Sequence, residues 1–156
     1  MSTVRHYAIN DVLPHAGAML LLDELLDYGP EHVSCVVAIR SESLFCEANK
    51  GVPTWVGVEY MAQTAGAFAG IADVQAGRTP SVCLLLGARS YRAEAAYFSV
   101  GERLRITARL ALLDENDLAA FDCVIYSERE EKILARGDIK AYRPKDLAAV
   151  VRGERI

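Results

Sequence analysis

The sequence predicts an α+β fold in which one curved antiparallel sheet wraps a single long helix. Three observations carry this. Residues 51–71 are apolar on almost every side of a helix. Four strand-like segments come after them: Ser81–Arg89, Arg103–Leu113, Leu118–Ser127 and Ile133–Tyr142. The polar links Asp114–Asp117 and Glu128–Lys132 join the last three, and links that short require antiparallel neighbours.

From the N-terminus, Val12–Leu26 reads as a short helical turn near Leu13-Pro14 that runs into an apolar stretch. Gly29-Pro30 is a turn, and Glu31–Arg40 alternates in part as a strand does. Leu44–Val52 is irregular. The helix is expected from about Pro53 to Ala72, with Pro53 in the first turn, where a missing N–H costs nothing. One sheet covers one side of such a helix and leaves edge strands open. An isologous two-fold dimer is therefore expected to supply the remaining cover. Residues 145–156 read as a helical tail on a single domain spanning 1–156.

Composition narrows the function. Apolar residues make up 52% of the 156 and charged residues 24%, which fits a globular chain. A net charge of −4 with scattered Lys and Arg gives no footprint for nucleic acid. The apolar helix is almost long enough to cross a bilayer, but Glu59, Gln63 and its glycines argue against membrane insertion. Met1–Tyr7 carries no secretory pattern. Cys35, Cys46, Cys83 and Cys123 form no CxxC pair, so no metal site is expected. Four buried thiols in a reduced cytoplasm are expected instead.

Glu59 is the one carboxylate near the start of the apolar helix, with Gln63 four residues on and on the same face. A buried charge is costly unless it is paired, neutralised or useful, so the pair is a candidate site. Glu59 at the wet edge of the helix, capping backbone donors, is the other reading. The residues alone do not separate the two.

Leu13-Pro14-His15, with Met19 and Asp23 following, then Pro53 and Glu59-Tyr60-Met61-Ala62-Gln63, resembles the hot-dog-fold 3-hydroxyacyl-acyl-carrier-protein dehydratases. Those enzymes carry LPHxxPxLLxD, then GHFPxxPxMPGVxxxEAxAQ. Phe98-Ser99-Val100-Gly101-Glu102-Arg103-Leu104 is similar to their VxPGDxL turn. The wording around Trp55 and Glu59 looks most like the aryl-polyene-type branch. The resemblance implies a cytoplasmic lyase without a cofactor, whose substrate rides on the phosphopantetheine of an acyl carrier protein. It places Glu59 on the catalytic acid and reads Asp23 as structural. The same register puts Phe45 where the family has its catalytic histidine, and no GHFP is present.

The chemistry asks for two groups. A base removes the α-proton, for which histidine is suited, and an acid protonates the departing hydroxyl. A carboxyl in an apolar pocket suits the second task. Backbone donors from Thr54 through Trp55 to Gly57, at the positive helix end, are expected to hold the thioester oxygen. Gln63 is expected to orient Glu59, and the Phe45 loop to border the substrate.

Three explanations fit the missing histidine. First in order is a heterodimer, since the resemblance implies sites at a dimer interface to which one subunit gives the histidine and the other the carboxylate. Second is a self-sufficient dehydratase with a rearranged site, in which His15 is the base; the other reading of His15 is structural, as a helix cap or a backbone hydrogen bond. Third is a hot-dog thioesterase. A catalytically silent partner subunit and an acyl-carrier binding module are the readings outside catalysis.

Overall fold

A computed structural model of the chain describes residues 6–15, 17–144 and 152–153. Most of the expected tail therefore lies outside the described residues. The elements in chain order are α1 (Ile9–Val12), a 3-10 turn (Gly17–Met19), β1 (Glu24–Tyr28), β2 (His32–Ala38), β3 (Val52–Pro53) and a second 3-10 turn (Thr54–Val56). Then follow α2 (Gly57–Gln75), β4 (Leu84–Ala93), β5 (Tyr97–Phe98), β6 (Arg103–Leu113), β7 (Leu118–Ser127) and β8 (Lys132–Tyr142).

Six strands form one antiparallel sheet in the order β1-β2-β6-β7-β8-β4, and β3 pairs with β5 apart from it. Period-two alternation turns Leu104, Ile106 and Ala108 of β6 and Phe121, Cys123 and Ile125 of β7 inward. They bury α2 through Tyr60, Met61, Ala65 and Ala67. This is the expected hot-dog arrangement. Val56, Met61 and Ala65 are buried and Phe68 is half-buried.

Differences from the sequence reading have local causes. Pro53 pairs with Tyr97 in β3 instead of opening the helix, because the Thr54 N–H is donated to the Ala96 carbonyl. The α-helix consequently starts at Gly57 after one 3-10 turn. Helical structure near Pro14 lies before it, in α1, and after it, at Gly17–Met19. The apolar stretch beyond becomes β1. Cys35 and Cys123 are buried, but Cys46 and Cys83 are only half-buried, since one sits in the loop before β3 and the other just ahead of the edge strand β4. No helix among the described residues is long and apolar enough to cross a membrane.

The helix glycines serve close packing. A Cβ at Gly70 would collide with the Val12 carbonyl, so α1 crosses α2 there. Gly57 likewise admits Tyr91, whose hydroxyl donates to the Thr54 carbonyl and ties β4 to the helix start. Asp23 is structural, as expected: it accepts from the Ala38 N–H at 2.7 Å and from Arg40 at 3.2 Å.

At the other end of α2, Asp73 is fully buried. Its carboxylate accepts from the Ser81 N–H (3.0 Å), Arg78 (3.1 Å) and Arg143 (2.8 Å). Burial pushes this carboxyl up, but the Ser81 N–H and the two guanidinium groups outweigh it and hold it below the ordinary aspartate range. The bond to Ser81 also keeps residues 81–83 out of the sheet, so β4 starts at Leu84. Asp73→Ala should cost about 3 kcal/mol, the lower end for breaking a buried pair, because Arg78 is largely exposed. A carboxyl depressed on folding stabilises above its unfolded pKa and loses that contribution as pH falls through its folded value. The deficit of Asp73→Ala in chemical denaturation should therefore be present at neutral pH and shrink in acid.

On the outer face, Asp122 of β7 lies directly opposite Asp138 of β8. The hydrogen bond with Asp138, then burial and repulsion, raises the Asp122 carboxyl. A shared proton stabilises such a pair in acid and is lost as pH rises through the raised value. Asp138→Asn should raise the melting temperature slightly at neutral pH and leave it unchanged in acid.

Candidate active site

Gln63 is the centre of the site and only 1% exposed. Its Oε1 accepts from the Leu21 N–H at 3.0 Å. Its Nε2 donates to the Met19 carbonyl at 2.8 Å and to Glu59 Oε1 at 3.0 Å. A backbone N–H can only donate and a carbonyl can only accept, so the two backbone partners fix which end of the amide is which. Glu59 Oε1 is therefore held as an acceptor. Oε2 is the oxygen that Gln63 leaves unbonded, and Glu59 lines a cavity.

Glu59 and Gln63 come from consecutive turns of α2, as the four-residue spacing requires. The 3-10 turn Gly17–Met19 brings its carbonyl end to Gln63, and α1 packs across Gly70. His15 lies between these two attachments. His15, Glu59 and Gln63 together line a cavity of about 190 Å³, walled also by Leu13, Leu84 and Leu85. His15 Nδ1 is buried and has no hydrogen-bond partner among the described residues.

The remaining expected site residues lie at the helix start and the loop before it. Phe45 is 50% exposed and Trp55 61% exposed, and their rings meet at 5.3 Å. Phe45 has φ 69°, which a bulky side chain seldom adopts. Phe45 and Trp55 border an open hollow with Pro53 and Tyr97, separate from the Glu59 cavity. The Thr54 N–H is donated to Ala96 and the Gly57 N–H to the Thr54 and Trp55 carbonyls. Trp55 and Val56 therefore carry the N–H groups that a helix start leaves without an intrahelical acceptor. Thr54 Oγ1 is used too, donating to the Ala95 carbonyl at 2.8 Å.

The structure thus groups His15, Glu59 and Gln63, and separately Phe45 with Trp55. Sequence reasoning missed the wall supplied by Ser81, Cys83, Leu84 and Leu85. Nothing local marks these residues, because Asp73 and the β4–β8 pairing place them. Burial raises the Cys83 thiol, so this wall is uncharged. Among the described residues no group of three or more His, Cys, Asp or Glu side chains is placed to hold a metal ion.

A family model described as ApeP-like, ApeP dehydratase, matches residues 7–152. Comparison with curated proteins gave no match. Among solved structures, the dehydratase heterocomplex ApeI:P from Xenorhabdus doucetiae is similar at a TM-score of 0.87 and 27% identity, over 95% of this chain and 97% of that one. A hypothetical thioesterase with coenzyme A from Streptococcus pneumoniae TIGR4 is similar at 0.61 and 12% identity, over 78% and 84%. The virulence protein Cj0977 from Campylobacter jejuni is similar at 0.62 and 13%, over 88% and 96%. At those identities the last two share the fold alone. The dehydratase reading and its aryl-polyene branch are borne out: the chain is a hot-dog lyase that belongs to the ApeP dehydratase family.

Proposed function

We propose that the protein dehydrates a 3-hydroxyacyl thioester, carried on the phosphopantetheine of an acyl carrier protein, to the trans-2-enoyl thioester. It does so as one subunit of a dehydratase pair. The observation that carries this is the Gln63 clamp on Glu59, which leaves a single carboxyl oxygen free in a cavity largely walled by apolar side chains. Glu59 gives its proton to the 3-hydroxyl as that group leaves as water. The α-proton goes to a histidine of a second hot-dog subunit. The N–H groups at the positive end of α2 steady the thioester oxygen while charge builds on it.

Three features support a partnered site. Phe45 stands at the position where the family resemblance expects the base, and a phenyl ring takes no proton. The edge strand β4 and the residue pair ahead of it leave Val82, Leu85 and Leu86 exposed, next to the Glu59 cavity that Leu84 and Leu85 line. A subunit laid along β4 would cover this apolar edge and close the cavity together. The similar ApeI:P structure is itself a dehydratase heterocomplex.

Assay of a 3-hydroxyacyl carrier protein tests the reading. The chain alone should be slow, and adding a hot-dog partner that carries GHFP should raise turnover by roughly 10²–10⁴-fold. Glu59→Gln in the mixed complex should lower the rate by about 10²-fold or more without loss of folding, since a glutamine carbonyl still accepts from Gln63. Fast turnover by the chain alone would place the base within it. A complex no faster than the partner alone, and indifferent to Glu59→Gln, would make the chain scaffolding.

A further inference from the structure

The edge strand β4 and its neighbour β8 carry an unbalanced charge. Arg92 of β4 lies directly opposite Arg136 of β8, and both are exposed. Their chain neighbours Tyr91 and Gly137 turn inward, to the Thr54 carbonyl and to Met61, so the two arginines share the outer face. Like charges placed opposite each other destabilise a sheet. Neither guanidinium has a partner among the described residues. Arg89 of β4 and Lys140 of β8 are exposed and without a partner in the same way. The acids nearby are Asp138, which accepts from Ser90 at 3.2 Å and is hydrogen-bonded with Asp122, and Glu94 just past β4. Four bases thus stand against two acids, one of them already engaged, on a chain whose net charge is −4.

Charge on an edge strand keeps other strands away unless they complement it. Here it does not protect the whole edge, because Val82, Leu85 and Leu86 are exposed at the start of the same strand and its approach. An edge that is apolar at one end and cationic toward the other is suited to a partner that covers the first and neutralises the second. A copy of this chain laid antiparallel along β4 does only half of that. It covers the apolar residues but brings a second set of the same four bases to one joined surface, where like charges repel. A subunit with carboxylates on the outer face of its own edge strand meets both needs.

Resting on the reading of the chain as one subunit of a dehydratase pair, we infer that the β4 edge selects that partner by charge. It takes a hot-dog subunit whose edge strand presents Asp or Glu on its outer face, and it disfavours a second copy of itself. A carboxylate between Arg92 and Arg136 receives donors from two planar guanidinium groups and relieves the repulsion that the free chain carries. The apolar contact at Val82, Leu85 and Leu86 suits any apolar edge, so the discrimination lies in the charges. The selection serves the chemistry. A pair of this chain with itself holds Glu59 twice, with Phe45 twice at the position of the base.

The test is calorimetric binding of the full chain to the hot-dog subunit that carries GHFP, at about 0.05 M and about 0.5 M salt. Affinity should fall roughly tenfold or more across that range, while sedimentation of the chain alone shows self-association that grows with salt. Arg92→Glu turns the like pair with Arg136 into an opposite one. The isolated variant should melt no lower than the native chain, yet bind the partner roughly tenfold or more weakly. Arg129→Glu makes the same charge change on the exposed β7–β8 link and should leave partner affinity as it is. Salt-independent affinity, native affinity in Arg92→Glu, or a stable dimer of the chain alone at low salt would overturn the inference. So would an Arg92→Glu chain that keeps its partner but loses affinity for the acyl carrier protein, since the cations would then serve the carrier. An Arg92→Glu chain that melts lower would also contradict it, by showing that Arg92 has a structural role. Turnover of a 3-hydroxyacyl carrier protein by the native complex reports separately on the dehydratase reading, which all these outcomes leave in place. Absence of any complex at either salt would overturn both.

Discussion

The hydrogen bonds of one amide hold the site together. Gln63 spends its oxygen on Leu21 and its nitrogen on Met19 and Glu59. The first two bonds fasten the chain ahead of β1 to the central helix, and the third turns the carboxyl of Glu59. Fold and site therefore share a single constraint. A buried amide is stable only when fully paired, so backbone and carboxylate must be in place together. This arrangement also explains why a helix as apolar as α2 tolerates an amide in its middle.

The small residues of α2 follow from the same need. Gly70 lets α1 cross at contact distance, and Gly57 lets Tyr91 reach the Thr54 carbonyl. The N-terminal segment is thereby pressed onto the helix at Val12 and Met19, and His15 is carried into the cavity between them. Asp73 does comparable work at the far end, where Arg78, Arg143 and Ser81 converge and set where β4 begins. The Glu59 cavity lies between these two anchors, beside the exposed residues that β4 and its approach present to a partner.

How far the sequence was legible depended on whether the deciding contact was local. The limits of β6 and β7, Arg103–Leu113 and Leu118–Ser127, follow from alternation and short polar links, and both stand as read. The Glu59–Gln63 bond follows from helix periodicity. The start of α2 was misplaced because Ala96, far along the chain, takes the Thr54 N–H. β4 was misplaced because Asp73 holds Ser81. His15 was legible only as a candidate base; its place in the wall of the Glu59 cavity follows from packing of Leu13 and Val12 against Gly66 and Gly70. Phe45 was visible as a departure from the family pattern, whereas its pairing with Trp55 was not.

The central claim is that Glu59 and a partner's histidine act on one substrate in one site. A double-mutant cycle measures this most directly, using Glu59→Gln here, alanine in place of the partner's GHFP histidine, and single-turnover dehydration by the four complexes. Groups that serve one concerted step are strongly non-additive. The account predicts that the doubly substituted complex is about as slow as the slower single one. Rates that fall by the product of the two single effects, or a Glu59→Gln complex as fast as the native one, would contradict it.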